Sequence, residues 1–276
     1  MRTSRPAVLS SNNIMNKTNS VVRICILACS TALLLGTMAC FGRTRSNSNQ
    51  EPSATGTPEH KSEGQAELKL PPVDEADRDP SFVAFRAKLL EAIEKKDAAF
   101  VLSILDRSII NSFGGNGGIE EFKEQWKLDQ PDSDLWAELK TILSLGGSFV
   151  RDSGETTQFC APYIFSTWDR VEGKVPELDD APTYGAIIGD KIALRREPRD
   201  DSEAIATLAY DVVTVVYEKS IAEKDKEGQF TWLNVATMDG KQGFVKQNEF
   251  RGPLEYRACF TKTGNGWKMT VLVAGD

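Results

Sequence analysis

The chain has 276 residues, 40% hydrophobic and 26% charged, with 21 Gly and 12 Pro, which excludes a collagen-like or wholly disordered polymer and leaves room for one or two domains. Its 33 basic and 40 acidic side chains give a net charge of −7, so the basic footprint of a nucleic-acid binder is missing and no nucleic-acid partner is expected. The single histidine, His60, lies in a stretch poor in apolar residues, which excludes most histidine-based catalysis and His-rich zinc sites.

Arg2, Arg5, Lys17 and Arg23 precede an apolar run from Ile24 to Gly36, and no acidic residue occurs before Cys40. This is the layout of an export signal over residues 1–39, with Met15 as an alternative start because Met15 to Arg23 makes a compact basic region. The run of about 13 residues is too short to span a bilayer, which takes roughly 20. It closes in Leu35-Gly36-Thr37-Met38-Ala39-Cys40, which resembles the lipobox of bacterial lipoproteins, with Thr37 where that family usually has Leu. The resemblance implies a diacylglycerol on Cys40, while ordinary signal-peptidase cleavage after Ala39 cuts the same bond. Ile26-Leu27-Ala28-Cys29 is a second, shorter match.

Removing residues 1–39 takes away four basic side chains and leaves 29 against 40 acidic ones, a charge of −11. Anionic head groups repel such a surface, so membrane attachment is expected to come from acyl chains. Residues 40–79 read as a flexible tether, because Leu68, Leu70 and Val73 are their only aliphatic side chains larger than Ala.

Residues 80–183 read as an α+β domain. Asp79-Pro80 is a helix start, and Phe82, Phe85, Leu89 and Ile93 follow at steps of three and four. Asp97 caps a second short helix over 98–105, and Ser108 to Phe113 is β-compatible. The Gly114 to Gly118 run is read as a chain reversal, with an anion-binding loop as the alternative. Helices are then expected around Ile119, Phe122 and Trp126 and over 133–145, with strand-like runs at 148–150 and 161–168. Phe113, Phe122, Trp126 and Trp136 are read as core, with pocket lining as the alternative. Ala92-Ile93, Asp97, Ser112-Phe113-Gly114-Gly115, Gly118, Phe122, Trp126 and Leu135-Trp136 together resemble the cone-shaped α+β domains related to nuclear transport factor 2. That resemblance covers about 90 residues and implies helices against a curved sheet.

Residues 184–252 change to short strands and turns. Ile192 to Pro198, Ile205 to Leu208, Val212 to Val216, Trp232-Leu233-Asn234-Val235 and Gly240 to Val245 resemble, in order and spacing, the bacterial Src-homology-3-like domain. The departures are Ala193, Tyr210-Asp211 in place of a turn glycine, and Phe244 for the usual Trp. The resemblance implies a small all-β barrel, in which Tyr210, Tyr217, Trp232 and Phe244 are candidate ligand-binding residues of an aromatic groove. Residues 253–276 form a closing β-hairpin around Thr263-Gly264-Asn265-Gly266, expected to return to the first domain because a lone hairpin is marginal in water.

Cys160 and Cys259 flank the barrel-like stretch as a candidate disulfide in an oxidising compartment, with two buried free thiols as the alternative. No catalytic residue, metal site or cofactor is assigned: the papain-like and zinc enzymes that carry such barrels need histidines this chain lacks, and no spacing selects a carboxylate pair. The expectation is an exported, lipid-anchored bacterial envelope protein facing the periplasm or exterior. It would bind peptidoglycan or an envelope protein through the barrel, without catalysis. The second reading is a small-molecule-binding or weakly enzymatic pocket in the α+β domain, with the barrel as a positioning arm.

Overall fold

The computed structural model describes residues 68–128, 130, 132–151, 157–175, 184–222 and 229–275. The export signal, Cys40 and residues 41–67 of the tether lie outside the described residues. Among the described residues no helix is long and apolar enough to cross a membrane.

Helix α1 (Pro80–Lys95) begins at Asp79, whose carboxylate accepts from the Ser81 amide at 2.8 Å while Pro80 occupies the first turn. It ends at Lys96, which turns left-handed. Asp97 caps α2 (Ala98–Ile104) by accepting from Phe100 N at 3.0 Å, and α2 runs directly into β1 (Leu105–Ile110). That strand begins three residues before the β-compatible run, because its register is dictated by a distant partner. Helices α3 (Gly118–Trp126) and α4 (Leu135–Ser144) follow, then β2 (Ser148–Arg151) and β3 (Thr157–Ala161). The expected strand over 161–168 is instead two short helices, α5 (Tyr163–Ser166) and α6 (Asp169–Glu172). Pro162 has no N–H to continue the β3 ladder, so the strand stops there.

The remaining strands are β4 (Tyr184–Ile187), β5 (Ile192–Arg195), β6 (Ala204–Leu208), β7 (Val212–Val215), β8 (Ile221–Ala222), β9 (Phe230–Thr237), β10 (Gln242–Lys246), β11 (Phe250–Arg251), β12 (Arg257–Thr263) and β13 (Gly266–Val273). They form two sheets. The first has the order β1-β13-β12-β3-β2, with β1 parallel to β13 and every other pair antiparallel. The C-terminal hairpin therefore supplies two interior strands of a sheet whose other strands precede residue 162. Helices α1 and α4 pack with this sheet around Phe82, Phe122, Leu139, Phe159, Phe260 and Met269. The Phe82 ring lies 4.2 Å from that of Phe159 and 4.8 Å from that of Trp267. Each fully buried aromatic or aliphatic side chain contributes about 1.5–3 kcal/mol, so this cluster dominates the stability of the first half.

The second sheet has the order β11-β4-β7-β9-β10-β5-β6, with β8 added on β9 and all pairs antiparallel. Leu194, Val213, Val215, Leu233, Val235 and Val245 make its core. This overturns the expected Src-homology-3-like barrel, because the strand path ends at β6 on one side and β11 on the other and the sheet is open. The physical reason lies at the corner between β6 and β7. There Leu70 N donates to Tyr210 O and Val212 N to Leu68 O, each at 2.8 Å. The incoming segment 68–70 thus satisfies backbone groups at the corner, and β6 keeps β5 as its only strand partner. The curved-sheet likeness to nuclear transport factor 2 is corrected too: the first sheet ends openly at β1 and β2 and is not strongly curled. The fold is α+β with two open sheets.

Candidate functional site

Arg251 sits where the two halves meet. Strand β11 is only two residues long, and Gly185 on β4 lets it approach closely: a Cβ there would meet the Phe250 ring and lie 2.6 Å from the Arg251 carbonyl oxygen. The buried guanidinium donates Nη2 to Glu138 Oε1 on α4 and to the Tyr256 carbonyl, both at 2.7 Å. Its Nη1 lies 3.1 Å from Glu255 Oε2. Burial pushes the Glu255 carboxyl up and Glu138 reinforces this, while the Arg251 charge and the Gly252 amide oppose it.

Beside this cluster opens a cleft of about 660 Å³ between α3, α4 and the β11–β12 connection. Trp126 and Tyr256 line it with ring centroids 4.9 Å apart. The Tyr256 hydroxyl accepts from Gln125 Nε2 at 3.2 Å, and the Trp126 indole N–H has no acceptor among the described residues. Ser133 shapes the rim by donating to the Trp126 carbonyl and accepting from the Leu135 amide. Asp132 and Asp134 also line the cleft, and neither enters an ion pair among the described residues. Glu138 contributes its wall while held by Arg251. Trp126 is only 6% exposed and backs the half-buried Tyr256 ring, which presents the accessible aromatic surface among amide, hydroxyl and carboxylate groups; the acidic groups outnumber the one lining cation, Lys127.

The glycine-rich loop before α3 is occupied by the protein itself. The Glu121 carboxylate accepts from Asn116 N at 2.8 Å, Gly117 N at 3.0 Å and Ser112 Oγ at 2.6 Å. These bonds hold its carboxyl below the usual range, the Ser112 bond most of all. The amides an exogenous anion would use are therefore engaged by Glu121.

The four aromatic residues singled out in the sequence are not gathered into one groove. Trp232 and Phe244 lie on one face of the second sheet, where Lys246 is paired opposite Trp232 and stands 5.7 Å over its ring. Tyr217 lies against Phe230 and lines a separate cavity. Tyr210 stands at the β6–β7 corner near Tyr163, whose buried phenol is pushed up to about 12. Phe122 is fully buried, Trp136 is core, and Phe113 is exposed beside Arg257.

Cys160 and Cys259 are directly opposite on β3 and β12 and are joined by a disulfide. Among the described residues no group of three or more His, Cys, Asp or Glu side chains could hold a metal ion. Sequence periodicity placed Trp126 on a buried face but carried no signal that Tyr256, more than a hundred positions away, would join it. Arg251 and Glu138, 113 residues apart, carry no periodic signal for their pairing either. Compared with protein-family models, curated proteins and solved structures, the chain matches none.

Proposed function

We propose that this is an exported recognition protein, tethered through Cys40, that binds a hydroxyl-rich ligand bearing an ammonium group in the cleft of Trp126 and Tyr256. The observation that carries the reading is the pairing of these two rings at 4.9 Å inside a cleft that also holds Asp132 and Asp134. An aromatic face attracts C–H surfaces and cations, amides and hydroxyls match both donors and acceptors of a polyol, and carboxylates select a positive group. Amino sugars whose nitrogen is not acylated have this chemistry. Export is supported by the basic-then-apolar layout ahead of Cys40 and by the disulfide, which persists in an oxidising compartment.

The test is calorimetric titration with a glucosamine trimer and with its N-acetylated counterpart, which lacks the ammonium groups. The cationic trimer is expected to bind saturably, and Tyr256→Ala combined with Asp134→Asn is expected to weaken it at least tenfold with the melting temperature retained. Absence of saturable binding by either trimer, or binding indifferent to both substitutions, overturns the reading.

A further inference from the structure

A second groove runs along the Pro253-Leu254 segment on the other side of Arg251. It consists of two cavities, about 460 and about 410 Å³, that share Tyr184, Pro253 and Leu254 as a common wall. Phe165 and Trp168 line one end, and Tyr217 and Phe250 line the other. The shape is therefore elongated and the walls aromatic or aliphatic. Its charges are all of one sign. Asp169 and Glu172, three residues apart on α6 and hence on one face, line the Trp168 end. Neither enters an ion pair among the described residues. At the other end Glu255 is committed to Arg251. Cations adjoin the groove without lining it: Arg251 itself, Arg257, which stacks 4.8 Å over the Phe165 ring, and Arg170 and Lys174, the chain neighbours of Asp169 and Val175.

We propose that this groove is a binding site for an elongated organic cation, with the apolar body laid across Tyr184 and Leu254 and the positive head against Trp168, Asp169 and Glu172. An anionic amphiphile would meet unpaired carboxylates at the Trp168 end and the Glu255 carboxylate at the other. A neutral one would forgo both the carboxylates and the cation–π attraction of Trp168. The attraction of a cation to the Trp168 face, added to that of the exposed carboxylates, is expected to give roughly a tenfold preference. The site is independent of the cleft of Trp126 and Tyr256, with which it shares no lining residue.

Three probes of matched size and different head groups test it on the full chain by calorimetry: 4-phenylbutylamine, 4-phenylbutanol and 4-phenylbutyrate. The amine is expected to bind about tenfold more tightly than the alcohol, with the carboxylate weakest. Asp169→Asn with Glu172→Gln should bring the amine down to the level of the alcohol, and Leu254→Ala should weaken amine and alcohol alike. Retention of the melting temperature shows that each variant is folded. The proposal is overturned if the three probes bind equally or not at all. It is also overturned if the advantage of the amine survives the double substitution, because the cation would then sit elsewhere.

Discussion

Arg251 and Glu138 lie 113 residues apart in the chain and 2.7 Å apart in the fold, one on a two-residue strand of the second sheet and the other on a helix of the first half. With Glu255 and the Tyr256 carbonyl they form a polar clasp across the seam, and the same guanidinium borders both grooves.

Removing the cation leaves two carboxylates and a carbonyl facing a partly desolvated space. Arg251→Met is therefore expected to destabilise the protein by about 3 kcal/mol, near the lower end for breaking a buried pair because Glu138 and Glu255 keep some contact with water. Urea unfolding reads the loss. In the Glu138→Gln background the same substitution should cost less, and equal costs in both backgrounds would show that the clasp carries no coupling.

The bond between Cys160 and Cys259 spans a sequence separation of 99. Cross-linking across that distance reduces the freedom of the unfolded chain, so replacing both cysteines by Ala is expected to cost about 4 kcal/mol. Denaturant midpoints with and without reductant measure it. An unchanged midpoint on reduction would remove the bond from the account of stability.

Two carboxylates give pH dependences of opposite sign. Asp79 is lowered from its ordinary 3.8 to about 2, chiefly by the Ser81 hydroxyl and then by Lys262. Its contribution is complete above pH 3.8 and is lost as the pH falls toward 2. Glu255 is raised above its ordinary 4.5 by burial, so its contribution is complete below that value and fades as the pH rises through the higher one. Thermal midpoints across a pH series should lose their acid limb in Asp79→Asn and their decline on the high side in Glu255→Gln. Profiles that do not change would contradict both assignments.

Much of the helical half could be read in advance, because its determinants are local. Asp79 and Asp97 are caps by residue type and position, and Phe82, Leu89 and Ile93 fall on one side of a helix by spacing alone. Strand identity was also local, since Leu233, Val235 and Val245 lie in short β-branched and aromatic runs between turn residues. Strand destination was not. Alternation says which side of a strand is buried, yet nothing in Ala204 to Leu208 reveals that this strand ends the sheet, or that residues 68–70 take the backbone groups of Tyr210 and Val212. The expected barrel failed on that point. The cleft was hidden for a related reason: Trp126 has the spacing of a core residue, and its partner Tyr256 comes from a strand connection with no periodic signal.

Because Cys160 and Cys259 stand on neighbouring strands of the first sheet, the chain leaves that sheet and returns to it at nearly one point, and residues 161–258 close into a covalent ring that contains the whole second sheet. A protease that cuts one exposed turn of this ring opens it without releasing a fragment. The molecule can therefore be nicked once in its second sheet and remain one piece, with both segments still joined through the disulfide between β3 and β12.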